Sequence, residues 1–329
     1  MNSDMKTYRN PVWPGDFADP FVLRTGTEQS PQYFAYGTAP LGADGRPFPV
    51  LFSSDLVTWH AGGGSLDPLT HPPARSYWAP EVAERDGRFY MYYSASTTDS
   101  DADQRVRVAI AEHPAGPFRT VDKLLIDSLD FTIDASPFQD PQDGRWYLFF
   151  ATDYLNEPPS GTGLGVIELA GDMISVAGDP KIVLRASGDW QIYERNRHYK
   201  GRVWPAWYCI EGPHVTFHAG KYYCFYSGGA WHGTEYGVGF ATADHPLGPW
   251  RGGSAIAGPT VLKGIPGLVI GPGHNSVVLG PDNQTLFMVY HAWDPGRTAR
   301  RMCIDPIRWT EAGPKVDGPS IQSRSLLAR

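Results

Sequence analysis

The feature that most constrains this chain is a strand phrase that recurs with variation: a polar or glycine turn, then a short aromatic run ending on small residues. It reads GRFYMYYSAS at 87–96, GRWYLFFAT at 144–152 and GKYYCFYSGG at 220–229, with looser copies PQYFAYGTA at 31–39 and NQTLFMVYHAW at 283–293. Tyr, Phe, Met and Val alternate at period two in these runs, as a strand packed between neighbouring sheets requires. One such unit cannot bury both of its faces. Five copies spaced by roughly 50 to 80 residues therefore imply units stacked around an axis.

A second strand precedes each copy: Asp19 in FADPFVL, Trp78 to Val82 in YWAPEVA, Asp134 in IDASPF, Glu211 in EGPHVTF and His274 in GHNSVVL. Five leading strands predict an all-β, five-bladed β-propeller. The 37 Gly and 30 Pro suit a turn-rich β chain better than a helical one. No linker or charge run divides the chain, so residues 1–329 read as one domain, with its core at about 10–309 and short extensions on either side.

A net charge of −7 with scattered Lys and Arg offers no basic stripe for nucleic acid and no polybasic anchor for a membrane, so neither partner is expected. Cys209, Cys224 and Cys303 do not make a disulfide framework or a zinc ribbon and are expected as buried thiols. The segment MNSDMKTYRNPVWPG lacks the apolar stretch of a secretory signal, which gives a cytoplasmic expectation, or a secreted one where a signal was removed.

Strand ends nearest a propeller axis converge on one shallow polar pit. Asp19, Asp134 and Glu211 come from three distant copies at matching places, each set among Pro, Gly and apolar residues. A lone acid at a strand start is ordinarily a turn or cap residue. Three in register point to shared work. Two carboxyl groups facing across a cleft are what glycosidic hydrolysis needs, one protonating the leaving oxygen while the other activates water or attacks carbon. A calcium cage is the alternative for clustered acids, but such a cage usually draws on one short loop.

The set VWPGDFADPFV, SYWAPEV, IDASPFQDPQDGRWYL, EGPHV and GPGHNSVV resembles glycoside hydrolase family 43 from about Asn10 to Trp309. Supporting phrases are SSDLVTW at 53–59, HPAGPFR at 113–119 and HPLGPWR at 245–251. The resemblance implies that Asp19 is the general base, Glu211 the general acid and Asp134 the group that tunes and orients the acid. Asp16 is the local competitor for Asp19 and fits the motif less well. The resemblance also implies inversion, which calls for the base and the acid to stand about 6.5 to 9.5 Å apart with a water between base and sugar. The acid must then hold a proton near neutral pH while Asp19 stays ionised.

His274 in GPGHNS resembles the family's axial histidine, which implies one structural Ca2+ or Na+ held through water. His214 and His218, four apart on a strand, lack a carboxylate partner motif and are not read as a zinc pair. A sugar also needs apolar platforms. Trp78, Trp231 and Trp293 are the candidates, with Phe34, Phe52 and His291 as further wall residues. Arg301 in RRMCIDPIRW resembles a family arginine that reaches sugar hydroxyls, with Arg300 beside it as the other choice.

The family resemblance implies an α-L-arabinofuranosidase or a β-D-xylosidase, or both activities in one pit. The arabinofuranosidase is favoured because about twenty residues follow Trp309, where longer β-xylosidases of the family carry a β-sandwich. An endo-arabinanase ranks third. The stretches 153–163 and 187–207 look long enough to wall a pocket for terminal residues. A sugar-binding propeller without chemistry is the non-enzymatic alternative.

Overall fold

The computed structural model describes residues 6–252 and 257–326. They form five antiparallel sheets in a ring, a five-bladed β-propeller, with no α-helix among the described residues. Blade 1 runs through Ala18–Gly26, Pro31–Thr38, Pro49–Ser53 and His60–Gly64, and blade 2 through Ser76–Arg85, Arg88–Ser96, Arg105–Ala111 and Arg119–Thr120. Blade 3 has Thr132–Gln139, Trp146–Tyr154, Gly161–Leu169 and Val176–Leu184, blade 4 Ile210–His218, Lys221–Gly228, Gly237–Ala243 and Arg251–Gly252. Blade 5 has Ile270–Leu279, Leu286–Trp293, Arg300–Thr310 and Gly313–Val316. In each blade the leading strand is innermost and the aromatic strand is second, as the repeat predicts.

The alternation explains the packing. In blade 2, Tyr90 and Tyr92 face blade 3 while Met91, Tyr93 and Ala95 face blade 1, and all are buried. A blade between two others must be apolar on both faces, which is why these strands read as near-continuous hydrophobic runs. Five hydrophobic clusters result, one at each blade interface. Blades 1 and 5 share theirs through Val22, Tyr33, Phe287 and Val289.

Every blade is built from consecutive strands, so no blade is shared between the two ends of the chain. Closure is instead reinforced at the back of blade 5, where Thr7–Tyr8 pairs with Arg324–Ser325. Beside it, Tyr290 Oη, Tyr8 Oη, Asn10 Nδ2 and the Ser320 N–H all donate to buried Asp305 at 2.8 to 3.2 Å. The three cysteines are buried and free.

A single backbone device shapes the inner ring. In every innermost strand two residues oppose one on the second strand, and the first of the two adopts positive φ: Asp19 (51°), Ala79 (46°), Asp134 (58°), Gly212 (55°) and His274 (46°). Such bulges re-aim side chains at the cost of local strain for any residue other than glycine. Four of the five are stapled by the preceding blade. The N–H groups of Ala79, Asp134 and His274 donate to the hydroxyls of Thr38, Ser94 and Ser227, and that of Asp19 donates to His291 Nδ1.

The fifth staple differs. The residue of blade 3 that matches Thr38, Ser94, Ser227 and His291 is Ala151, paired with Ile133 and lacking any acceptor side chain. The Gly212 N–H turns instead to Asp134 Oδ2 at 3.0 Å. One blade has thus given up its hydroxyl, and a carboxylate of the pit takes its place beside the neighbour of Glu211.

Candidate active site

The bulges bring Asp19, Asp134, Glu211 and His274 to one cavity of about 230 Å³ at the axis. The three acids are therefore assembled as the sequence implies, with one change in register. Asp19 and Asp134 occupy the positive-φ position of their blades, as His274 does, while Glu211 stands one residue earlier and Gly212 takes the bend. The matching positions to Glu211 are Ala18, Trp78, Ile133 and Gly273. Glycine at 212 takes this φ without the strain that the other four blades bear, and it leaves room for the His274 ring, which an added Cβ would meet at 3.1 Å.

Asp19 is the ionised member. Burial works against its charge, but Arg300 and His274 outweigh burial and hold its carboxyl well below the usual range. Arg300 Nη1 lies 3.3 Å and His274 Nδ1 3.4 Å from Asp19 Oδ1. His274 is raised above its ordinary value because Asp19, Asp134, Glu211 and Glu81 together overcome its burial. His291 is fully buried and pushed down to about 4, chiefly by that burial. It is the neutral acceptor that the Asp19 N–H needs.

The other side of the cavity holds a proton. Asp134 is pushed up to about 7 by burial first, against the pull of His274, with the charges of Glu211 and Asp19 adding to the rise. Glu211 receives Tyr236 Oη at 2.7 Å on Oε1 and Cys209 Sγ at 3.2 Å on Oε2. Burial drives the Cys209 thiol far up, so it remains an S–H, a weak donor that a leaving-group oxygen can displace. The Tyr236 bond is the stronger of the two, so Oε2 is the oxygen free to present a proton.

Trp78, Trp231 and His274 line the cavity as expected. Four other expectations are corrected. Arg300, not Arg301, reaches the pit, because Arg300 pairs with Trp293 and strand alternation sends Arg301 to the opposite face, where it meets Asp294 at 3.0 Å. Trp293 lies behind Trp231, stacked at 5.9 Å and donating to its carbonyl oxygen at 3.1 Å; it supports the platform without forming it. His291 sits beneath the floor, stacked on Tyr236. Phe34 packs edge-on against Phe52 in the core between blades 1 and 2, because its alternation places it on the blade interface.

Both long stretches do wall the cavity. Blade 3 is extended by a hairpin, Ile192–Tyr199 with Arg202–Tyr208, bridged to the blade at Gly161. It supplies Tyr193, Arg197, Tyr199 and Trp207, and the two ends of the first stretch add Asp153 and Thr162, paired across adjacent strands. Residues 197 and 199 share one strand parity, a signal present in the sequence, whereas Tyr193 sits at the register shift between Ile192 and Glu194. Cys209 stands two residues before Glu211, between the hairpin's second strand and the leading strand of blade 4. Tyr236 had no local signal.

Below the pit, Glu81 Oε2, His214 Nδ1 and both side-chain polar atoms of Asn275 are buried without a hydrogen-bond partner, and Glu81 and His214 approach to 3.6 Å. Orphaned polar atoms on an axis suit buried water or a hydrated cation. Among the described residues no three of His, Cys, Asp and Glu stand as a direct metal cage; an ion placed here would meet these orphaned atoms through water. His218 is remote from this tier, stacked on Trp309 at 3.9 Å.

Comparison with known proteins agrees with this geometry. The model of glycosyl hydrolases family 43 matches residues 8–314. A β-D-galactofuranosidase of Aspergillus niger is 31% identical, over 92% of this chain and 83% of its own length. A xylosidase/arabinosidase of Humicola insolens is 24% identical over 91% of this chain and 52% of its own. Among solved structures, a thermostable family-43 glycoside hydrolase superposes with a TM-score of 0.80 at 33% identity, covering 96% of this chain and 97% of that one. With the family's match running from the first strand to the last blade, and the acids gathered at its axis, the chain is a glycoside hydrolase and belongs to glycosyl hydrolases family 43.

Proposed function

We propose that the protein is an α-L-arabinofuranosidase that releases terminal arabinofuranosyl residues from arabinoxylan- or arabinan-derived oligosaccharides with inversion. The observation that carries the hydrolytic part of this reading is the division of protonation within one cavity: Asp19 is held ionised by Arg300 and His274, while Asp134 keeps a proton to about pH 7. Asp19 takes a proton from water as its oxygen bonds to the anomeric carbon. Glu211 gives a proton to the glycosidic oxygen as the old C–O bond breaks. Asp134 acts through its bond to the Gly212 N–H, which fixes the backbone beside the acid, and through its proximity in charge to Glu211. The wall built by the blade 3 hairpin supports action on terminal residues. The axial polar tier would hold one hydrated Ca2+ or Na+ as a structural ion, through His214, Glu81, Asn275 and His274.

A second glycone is favoured by a specific observation, the galactofuranosidase relative. A β-D-galactofuranosyl ring has the ring configuration of α-L-arabinofuranose with one more carbon on its tail, so a pit shaped for one meets the same hydroxyls in the other. The β-D-xyloside remains the third candidate. The test is hydrolysis of p-nitrophenyl α-L-arabinofuranoside, β-D-galactofuranoside and β-D-xyloside by the wild type and Asp19→Ala, with the first-formed anomer read by proton NMR. The arabinofuranoside is expected to be fastest, with β-L-arabinose appearing first and a rate about 10³- to 10⁴-fold lower in the variant. A faster rate on another glycoside reassigns the sugar, and α-anomer appearing first overturns inversion.

A further inference from the structure

The hairpin of blade 3 stands on one side of the reaction. Its second strand, Arg202–Tyr208, runs directly into Cys209 and the strand of Glu211, and the Cys209 N–H closes it by donating to the Gln191 carbonyl at 2.7 Å. Tyr193 lies within electrostatic reach of Glu211. The groups that serve Asp19, Arg300 and His274, come instead from blade 5. In a single displacement the acid stands at the leaving group and the base at the opposite face of the ring. The hairpin is thus on the leaving-group side.

What the hairpin presents to the cavity is the Arg197 side chain, set among aromatic rings. The Arg197 guanidinium lies 4.7 Å from the ring centre of Tyr193, 4.9 Å from Trp207 and 5.2 Å from Tyr199. Its side chain is about one-fifth exposed, and its ion pair with Glu194, at 3.9 Å, is at the edge of contact. The wall behind it is fixed: Tyr199 Oη donates to Asp153 Oδ2 at 2.8 Å, and Lys200 holds the same carboxylate at 3.1 Å. A planar donor fork pre-set by rings can grip the adjacent hydroxyls of a sugar, whereas an ammonium or a mobile side chain would pay more entropy to do so.

We propose that this hairpin is the leaving-group subsite and that Arg197 selects a carbohydrate leaving group over a simple aglycone. The proposal rests on the glycosidase reading above but not on which sugar is released. The experiment compares kcat and KM of the wild type and Arg197→Leu on two substrates with the same glycone: the p-nitrophenyl glycoside that the wild type cleaves best, and an oligosaccharide bearing that residue at its terminus. The expected result is a 10- to 100-fold loss of kcat/KM on the oligosaccharide, about the worth of a charged hydrogen bond, carried mainly by KM. The aryl glycoside should stay within about threefold, since it offers the fork no hydroxyls. Equal losses on both substrates, or no loss on either, overturn the proposal. Arg197→Gln, which keeps side-chain donors, provides the second variant should the leucine disturb the hairpin, and it should fall between the two. A wrong glycone would show in the wild-type panel alone, whereas a wrong subsite shows only in the split between leaving groups.

Discussion

Replacing Glu211 with Gln is expected to lower kcat/KM about 10³- to 10⁴-fold for a sugar or alkyl leaving group, and by less than about tenfold for 2,4-dinitrophenol. The amide keeps an acceptor for Tyr236 and the shape of the carboxyl, so binding is spared while proton donation is lost. Leaving groups that depart as stable anions do not need the proton. A plot of log kcat/KM against leaving-group acidity should therefore steepen. On the acid limb of the wild-type pH profile, Asp19, held far below the usual carboxylate range, stays ionised in mildly acidic solution, so activity should persist well below pH 5. Uniform losses across leaving groups would mean that Glu211 positions substrate instead of protonating it.

The repeat carried most of the fold, because an aromatic strand buried on both faces leaves a near-continuous hydrophobic run wherever it occurs. Blade number and strand order followed from Tyr33, Tyr92, Phe149, Phe225 and Val289 and their neighbours, each at the middle of a second strand. The acids were legible for a related reason, since a carboxylate between Pro, Gly and apolar residues is out of place unless it works. What stayed hidden depended on one-residue offsets and on contacts between blades. The bulge displaces Glu211 by one position relative to Asp19, and no periodicity signals a bulge. The choice between Arg300 and Arg301 turns on pairing with Trp293, which requires the register of blade 5. Tyr236 reaches Glu211 from 25 residues away, and the missing hydroxyl at Ala151 gains meaning only beside the four blades that retain an acceptor.

Asp134 separates stability from catalysis. Its folded value near 7 exceeds the ordinary 3.8, so the folded state binds the extra proton between those limits and stability falls as pH rises through the window. The full penalty is present above pH 7 and absent below the ordinary value. At 1.36 kcal/mol per unit, Asp134→Asn is expected to stabilise the protein by about 2–4 kcal/mol at pH 8 and by almost nothing at pH 4. The amide oxygen can still accept the Gly212 N–H, so the backbone beside Glu211 stays in place. His291, whose folded value is near 4, makes stability rise with pH between about 4 and 6.5, but it does so in both proteins and cancels in the difference. Urea unfolding at the two pH values measures the effect, and a loss of stability at pH 8 would show that the carboxylate serves as a counterion for His274. Activity should move the other way, by about 10² or more in kcat. A residue whose removal strengthens the fold and disables the reaction is retained for its work in the pit. Its carboxyl stands at the one blade interface where Ala151 leaves the bulge N–H to it.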